Sequence, residues 1–139
     1  MQQNDETSEF AGESKTTSEQ LSNLVTFAAV LEAATGLALM LGPSFVARLL
    51  FGIDLTGVSI VVARLAGIGL FSLGLAYWAA KSVTHTTTYA LVTYNALVTL
   101  YLLFVGIRGE WVGPLLWPAV AVHAVLTILL VRSWRPRKH

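Results

Sequence analysis

Three long apolar stretches of this 139-residue chain each contain one ionisable side chain: Glu32, Arg64 and His123. A fourth apolar stretch contains Asn95, with Tyr101 further along the same stretch. An ionisable group inside a membrane-spanning helix costs about 2.5–3.5 kcal/mol on insertion scales, so each one needs an explanation. A carboxyl, a guanidinium, an imidazole and an amide could together bind the polar end of a lipophilic molecule or transfer protons.

Glu32 and Arg64 are expected to form an ion pair, because each would otherwise be an isolated buried charge. Counting about 1.5 Å per residue from the helix ends places both in the outer half of the bilayer. The pair could simply fix the register of two helices, or it could line an outward-opening pocket with His123, Tyr101 and Asn95. A further alternative is that Arg64 extends outward alone.

The same residues form no recognised catalytic pattern, and the sequence predicts no catalytic residue and no metal site. Haem held by two histidines would need a second histidine at the depth of His123, but His85 and His139 lie outside the apolar stretches. The chain has no cysteine, which excludes disulfides, thiolate ligands and iron–sulfur clusters. No cofactor is predicted, although a quinone is compatible with the polar residues.

The segments that carry these residues are predicted to be membrane-spanning helices. Charged residues make up only 12% of the chain, whereas a soluble domain carries about 25%. Four apolar segments are long enough to cross a bilayer: about 21–41, 58–80, 87–107 and 114–131. Because unpaired backbone groups are prohibitive in hydrocarbon, each must be helical. The prediction is an all-α polytopic membrane protein, a four-transmembrane-helix bundle over residues 21–131.

The segments outside the spans are also informative. Residues 43–52, PSFVARLLFG, are apolar but too short to cross, so we expect a short interfacial helix after the first span, with Arg48 toward the headgroups. A plain loop is the alternative. Residues 1–20 are acidic and polar and predict a disordered tail, whereas residues 132–139 form a basic tail.

The distribution of basic residues predicts the orientation. Four spans place both termini and the 81–86 loop on one side, which then holds six Lys and Arg residues against two on the other. The positive-inside rule makes both termini cytoplasmic. Trp78 and Trp134 then lie at the inner ends of spans, and Trp111 and Trp117 at the outer ends, as expected for interfacial tryptophans. The basic tail is expected to bind anionic lipid headgroups and not nucleic acid.

A GPxxVxRLLFG segment follows the first span, and ARLAGIGLFSLGLAYW lies at the start of the second. With four short spans, these segments make residues 21–131 resemble the DoxX-type small prokaryotic membrane proteins. The resemblance implies a four-helix architecture in the prokaryotic cytoplasmic (inner) membrane. DoxX proteins are known as a small subunit of a quinone-reducing thiosulfate oxidoreductase, which implies a lipophilic or quinone-linked ligand. No catalytic motif of that family can be placed on residues of this sequence.

Three functions fit these patterns. The first is a small membrane accessory or binding protein whose polar residues hold a lipophilic or quinone-type ligand, with Arg64 and His123 donating hydrogen bonds to carbonyl oxygens. The second is a purely structural subunit of a larger membrane complex. The third is a proton or small-solute transporter that acts as a homo-oligomer, in which Glu32 and His123 relay protons. An independent enzyme has no signature here; a subunit of a membrane oxidoreductase is the most that the sequence supports.

Overall fold

The structure is a computed structural model that describes the backbone of residues 3–79 and 84–134 and the side chains of residues 19–79 and 84–133. Its helices are α1 (Gln3–Leu41), α2 (Pro43–Phe51), α3 (Val58–Ala79), α4 (His85–Arg108) and α5 (Leu116–Trp134). The part of α1 from Glu19 onward, all of α3 and α4, and nearly all of α5 are long and apolar enough to cross a membrane. The predicted all-α, four-span architecture is confirmed.

The helix of the first span begins much earlier than the sequence predicts. Residues 3–20 continue α1 and do not form the expected disordered tail. At the other end, α5 includes the first three residues of the predicted basic tail, and residues 135–139 lie outside the described part of the chain.

The predicted short helix after the first span is present as α2. Pro43 lies in its first turn, where the missing N–H costs no helical hydrogen bond. Gly52 ends the helix with φ of 71°, a left-handed conformation that glycine adopts without steric cost. Arg48 is exposed and its Nη2 donates to Oδ1 of Asp54 at 2.6 Å. The location of α2 at a membrane interface stays a prediction.

α2 is hydrogen-bonded through its backbone to the segment that connects α4 and α5. The N–H of Gly113 donates to the carbonyl of Leu50 at 2.9 Å, and the N–H of Leu115 donates to that of Leu49 at 2.8 Å. These bonds satisfy carbonyls in the last turn of α2, which have no partner within the helix. A side chain at position 113 would overlap the Leu49 carbonyl, so glycine is required for this contact.

α1 and α3 pack with their backbones in direct contact. A Cβ on Gly36 would lie 2.6 Å from the carbonyl oxygen of Gly67, and one on Gly74 would lie 2.6 Å from the backbone nitrogen of Ala33. Small residues permit this approach in membranes, where van der Waals packing holds helices together. The contacts define an antiparallel register in which Gly67 lies beside Met40 and Gly74 beside Ala33.

The spanning helices form two pairs that are joined through α1. α3 packs against α1, α4 packs against α5, and α1 also contacts both members of the second pair. At the end of the bundle remote from α2, the core is filled by Val25, Ala28, Leu91, Leu126 and Leu130. Toward the other end, which we call the α2 end, the space between α3 and α5 is not filled by side chains.

We expect Gly67→Ala to destabilise the protein by about 1–3 kcal/mol, because the added Cβ would lie 2.7 Å from the Gly36 carbonyl oxygen. Gly69 provides a matched control on the same helix, since a Cβ there meets nothing within 4 Å. Gly69→Ala should be neutral or slightly stabilising, because alanine favours helix. Unfolding in detergent with increasing SDS measures both variants. An equal loss of stability in the two would show that the close approach is not required.

Candidate functional site

A cavity of about 870 Å³ lies between α3 and α5, and α2 forms one of its walls. The walls include Val62, Ala63 and Ala66 of α3, Pro118, Ala119 and Val122 of α5, and Val46 and Leu50 of α2. The lining is almost entirely apolar and contains no charged side chain. Its polar members are Thr35, Ser59, Tyr94 and His123.

Polar side chains separate this cavity from the packed core. Glu32 and Asn95 each lie one helical turn closer to the α2 end than the core residues Ala28 and Leu91. His123 has the corresponding place on α5 and borders the cavity. The exposed fractions of Glu32 and Asn95 are only 1% and 0%, so any partners they have must come from the protein itself.

A hydrogen bond between Asn95 and His123 connects α4 to α5. Asn95 Oδ1 and His123 Nδ1 are 2.8 Å apart. Asn95 Nδ2 donates to the carbonyl oxygen of Leu91 at 2.9 Å, and a carbonyl oxygen can only accept a hydrogen bond. The amide oxygen therefore faces the imidazole, and the geometry assigns the proton of this bond to Nδ1. In the neutral imidazole, Nε2 is then an acceptor.

Tyr94 links Glu32 to this pair. Its hydroxyl lies near the Glu32 carboxyl, and its ring meets the His123 ring edge to face, with centroids 6.3 Å apart. Tyr77 of α3 is close enough to interact electrostatically with the same carboxyl. Glu32 Oε1 has no hydrogen-bond partner among the described residues. We call Glu32, Tyr94, Asn95 and His123 the polar layer.

Arg64 does not belong to the polar layer, and the expected ion pair with Glu32 is absent. In the register of α1 and α3, Glu32 lies level with residues 71–75 of α3, which are seven to eleven residues from Arg64, or roughly 10–16 Å along the helix. Arg64 is exposed, and the ion pairs between described side chains involve neither residue. The expectation is wrong because it measures depth from each helix's own end, whereas α3 extends beyond the end of α1 on the α2 side.

Tyr101 also lies apart from the site. It is 63% exposed and is not among the residues that line the cavity. Its neighbour Leu102 is buried, and successive side chains point about 100° apart around a helix, so Tyr101 faces away from the buried side of α4. The structure therefore brings together Glu32, Asn95 and His123 and leaves out Arg64 and Tyr101. That any of them binds a ligand stays a prediction.

Tyr94 is the site residue that the sequence analysis did not select. It precedes Asn95 and lies well inside the third span, away from the interfaces where membrane proteins concentrate tyrosine. That mid-span location is the signal that could have identified it. Tyr77 lies near the end of its span, where tyrosine is common, and so carries no comparable signal.

No protein-family model matches this sequence. No curated protein and no solved structure shows significant similarity to the chain. The resemblance to DoxX-type proteins therefore stays a prediction. Function has to be argued from the geometry and chemistry of the site.

We expect Glu32→Gln and Arg64→Met to affect stability independently, because their sites are about two to three helical turns apart. Effects of distant substitutions add within about 0.5 kcal/mol. SDS unfolding of the two single variants and the double variant gives the coupling energy. A coupling well above that limit would show that the side chains pair in the folded protein, and the register derived from the glycine contacts would then be wrong.

Proposed function

We propose that the protein is a small integral membrane binding protein that holds a lipophilic molecule in the cavity between α3 and α5. The observation that carries this proposal is an apolar cavity bordered by His123 and Tyr94 of the polar layer. Its volume of about 870 Å³ is within the range of about 300–1,000 Å³ that small-molecule sites occupy. An apolar wall with a few convergent polar groups is typical of such sites.

Selectivity in this cavity has to come from shape and from the polar contacts. The surrounding lipid is as apolar as the cavity wall, so moving a hydrocarbon chain from bilayer to cavity gains little from the hydrophobic effect. A hydrogen bond at the polar layer is different, because the bilayer core offers no partner of its own. Ordinary lipid chains lack a group for this contact, and a molecule with a hydrophobic body and one small polar end has it.

The proposed binding protein acts as an accessory to membrane enzymes or complexes that use its ligand, and a quinone or its reduced form belongs to this ligand class. It has no catalytic role of its own in this proposal. We further propose that it resides in a prokaryotic cytoplasmic membrane with both termini in the cytoplasm. The basic residues at the C-terminus and in the 81–86 loop support that orientation.

We expect Ala119→Trp to remove a co-purifying lipophilic molecule, because Ala119 lines the cavity and an indole ring there would fill it. Ala121→Trp is the matched control, since Ala121 lies two residues along the same helix, is exposed and does not line the cavity. Mass spectrometry of organic extracts of wild type and both variants provides the measurement. If all three preparations lack a bound molecule, the protein is better explained as a structural subunit.

The orientation can be tested by cysteine labelling, because the chain contains no cysteine of its own. Thr56 and Thr86 are both exposed, Thr56 between α2 and α3 and Thr86 in the first turn of α4. We expect a membrane-impermeant maleimide to label Thr56→Cys in intact cells, and to label Thr86→Cys only after the cells are permeabilised. The reverse pattern would place both termini outside the cytoplasm.

A further inference from the structure

We propose that the cavity selects lipophilic molecules whose polar end is a hydroxyl group that donates a hydrogen bond to Nε2 of His123. This inference rests on the proposed function and names the ligand class of the same site. The shared chemistry is an O–H donor on a hydrophobic body, as in an isoprenoid alcohol or a quinol.

The hydrogen bonds of Asn95 determine the protonation pattern of His123. Its Nδ1–H donates to Asn95 Oδ1, whose orientation is set by the bond from Asn95 Nδ2 to the Leu91 carbonyl. No ion pair involves His123 among the described residues, and an imidazolium would be an uncompensated charge in apolar surroundings. His123 is therefore a neutral imidazole with its proton on Nδ1 and a lone pair on Nε2.

Nε2 of His123 is accessible to a bound molecule. It makes no hydrogen bond with any described residue, and His123 borders the cavity. Among the described side chains, Glu32 Oε1 is the one completely buried polar atom without a partner, so Nε2 is not enclosed in the same way. An accessible acceptor without a partner, in a position fixed by Asn95, is a preformed contact for a donor.

A carbonyl group does not fit the acceptor at Nε2 as a hydroxyl group does. A ketone or quinone oxygen would present lone pairs to the lone pair of Nε2 and would lose the hydrogen bond. The sequence predicts His123 as a donor to carbonyl oxygens, whereas this geometry makes it an acceptor for hydroxyl groups. A quinol fits this contact and a quinone does not.

The test compares three probes with the same hydrophobic body: farnesol, farnesyl methyl ether and a farnesyl methyl ketone. Equilibrium binding to the full-length protein is measured by isothermal titration in detergent micelles. We expect farnesol to bind about fivefold to tenfold more tightly than the ether and the ketone, in line with one net hydrogen bond. The ether keeps the shape of the alcohol but has no donor, so it isolates this contact.

Two substitutions at position 123 separate the two ring nitrogens. His123→Asn places an amide N–H where Nδ1 donates to Asn95 and removes the acceptor at Nε2. It should reduce the affinity for farnesol to that measured for the ether in the same variant, and measurable ether binding shows that the variant is folded. His123→Gln extends an amide oxygen toward the position of Nε2 and should keep part of the preference for farnesol.

Asn95→Leu tests the tautomer directly. Without the acceptor at Asn95, either ring nitrogen can carry the proton, so the preference for farnesol over the ketone should narrow toward unity while total binding persists.

The outcomes distinguish the two proposals. If the wild type binds none of the probes, the proposed function fails. If it binds all three equally, or binds the ketone most tightly, the cavity holds lipophilic molecules but the hydroxyl contact is wrong.

Discussion

The backbone contact between α1 and α3 determines where the rest of the protein has space. Gly36, Gly67 and Gly74 let the two helices approach until main-chain atoms touch, and this draws α3 onto α1. The other pair, α4 and α5, is joined by its own packing and by the bond between Asn95 and His123. The cavity is the space that these two tightly packed pairs leave between them, so the same contact that stabilises the fold also creates the site.

Most hydrogen-bonding groups of the polar layer have partners within the protein. They need these partners because their apolar surroundings offer none. Asn95 and His123 bond to each other, and the hydroxyls of Thr99 and Thr127 bond to the carbonyls of those same two residues within their helices. Two atoms have no partner among the described residues: Glu32 Oε1, which is completely buried, and Nε2 of His123, which borders the cavity. A buried oxygen of this kind costs stability.

Hydropathy predicts the four spans well, because the need to satisfy backbone groups in lipid acts on each segment separately. The predicted span boundaries also place Glu32, Asn95 and His123 at similar depths in the bilayer. Register and rotation are different, since they depend on contacts between helices. The predicted ion pair between Glu32 and Arg64 is absent because the glycine contacts set the offset of α3 relative to α1 along the helix axis. Tyr101 lies outside the site because α4 turns its neighbour Leu102, and not Tyr101, toward the interior.

The attachment of α2 has a consequence for how the wall of the cavity can vary. Its last turn is held by main-chain hydrogen bonds from Gly113 and Leu115, which place no demand on the identity of the side chains that α2 turns toward the cavity. Substitutions at Val46 or Leu50 can therefore reshape the wall while the helix keeps its position. The α2 wall of the cavity can therefore change in shape while the polar layer stays the same.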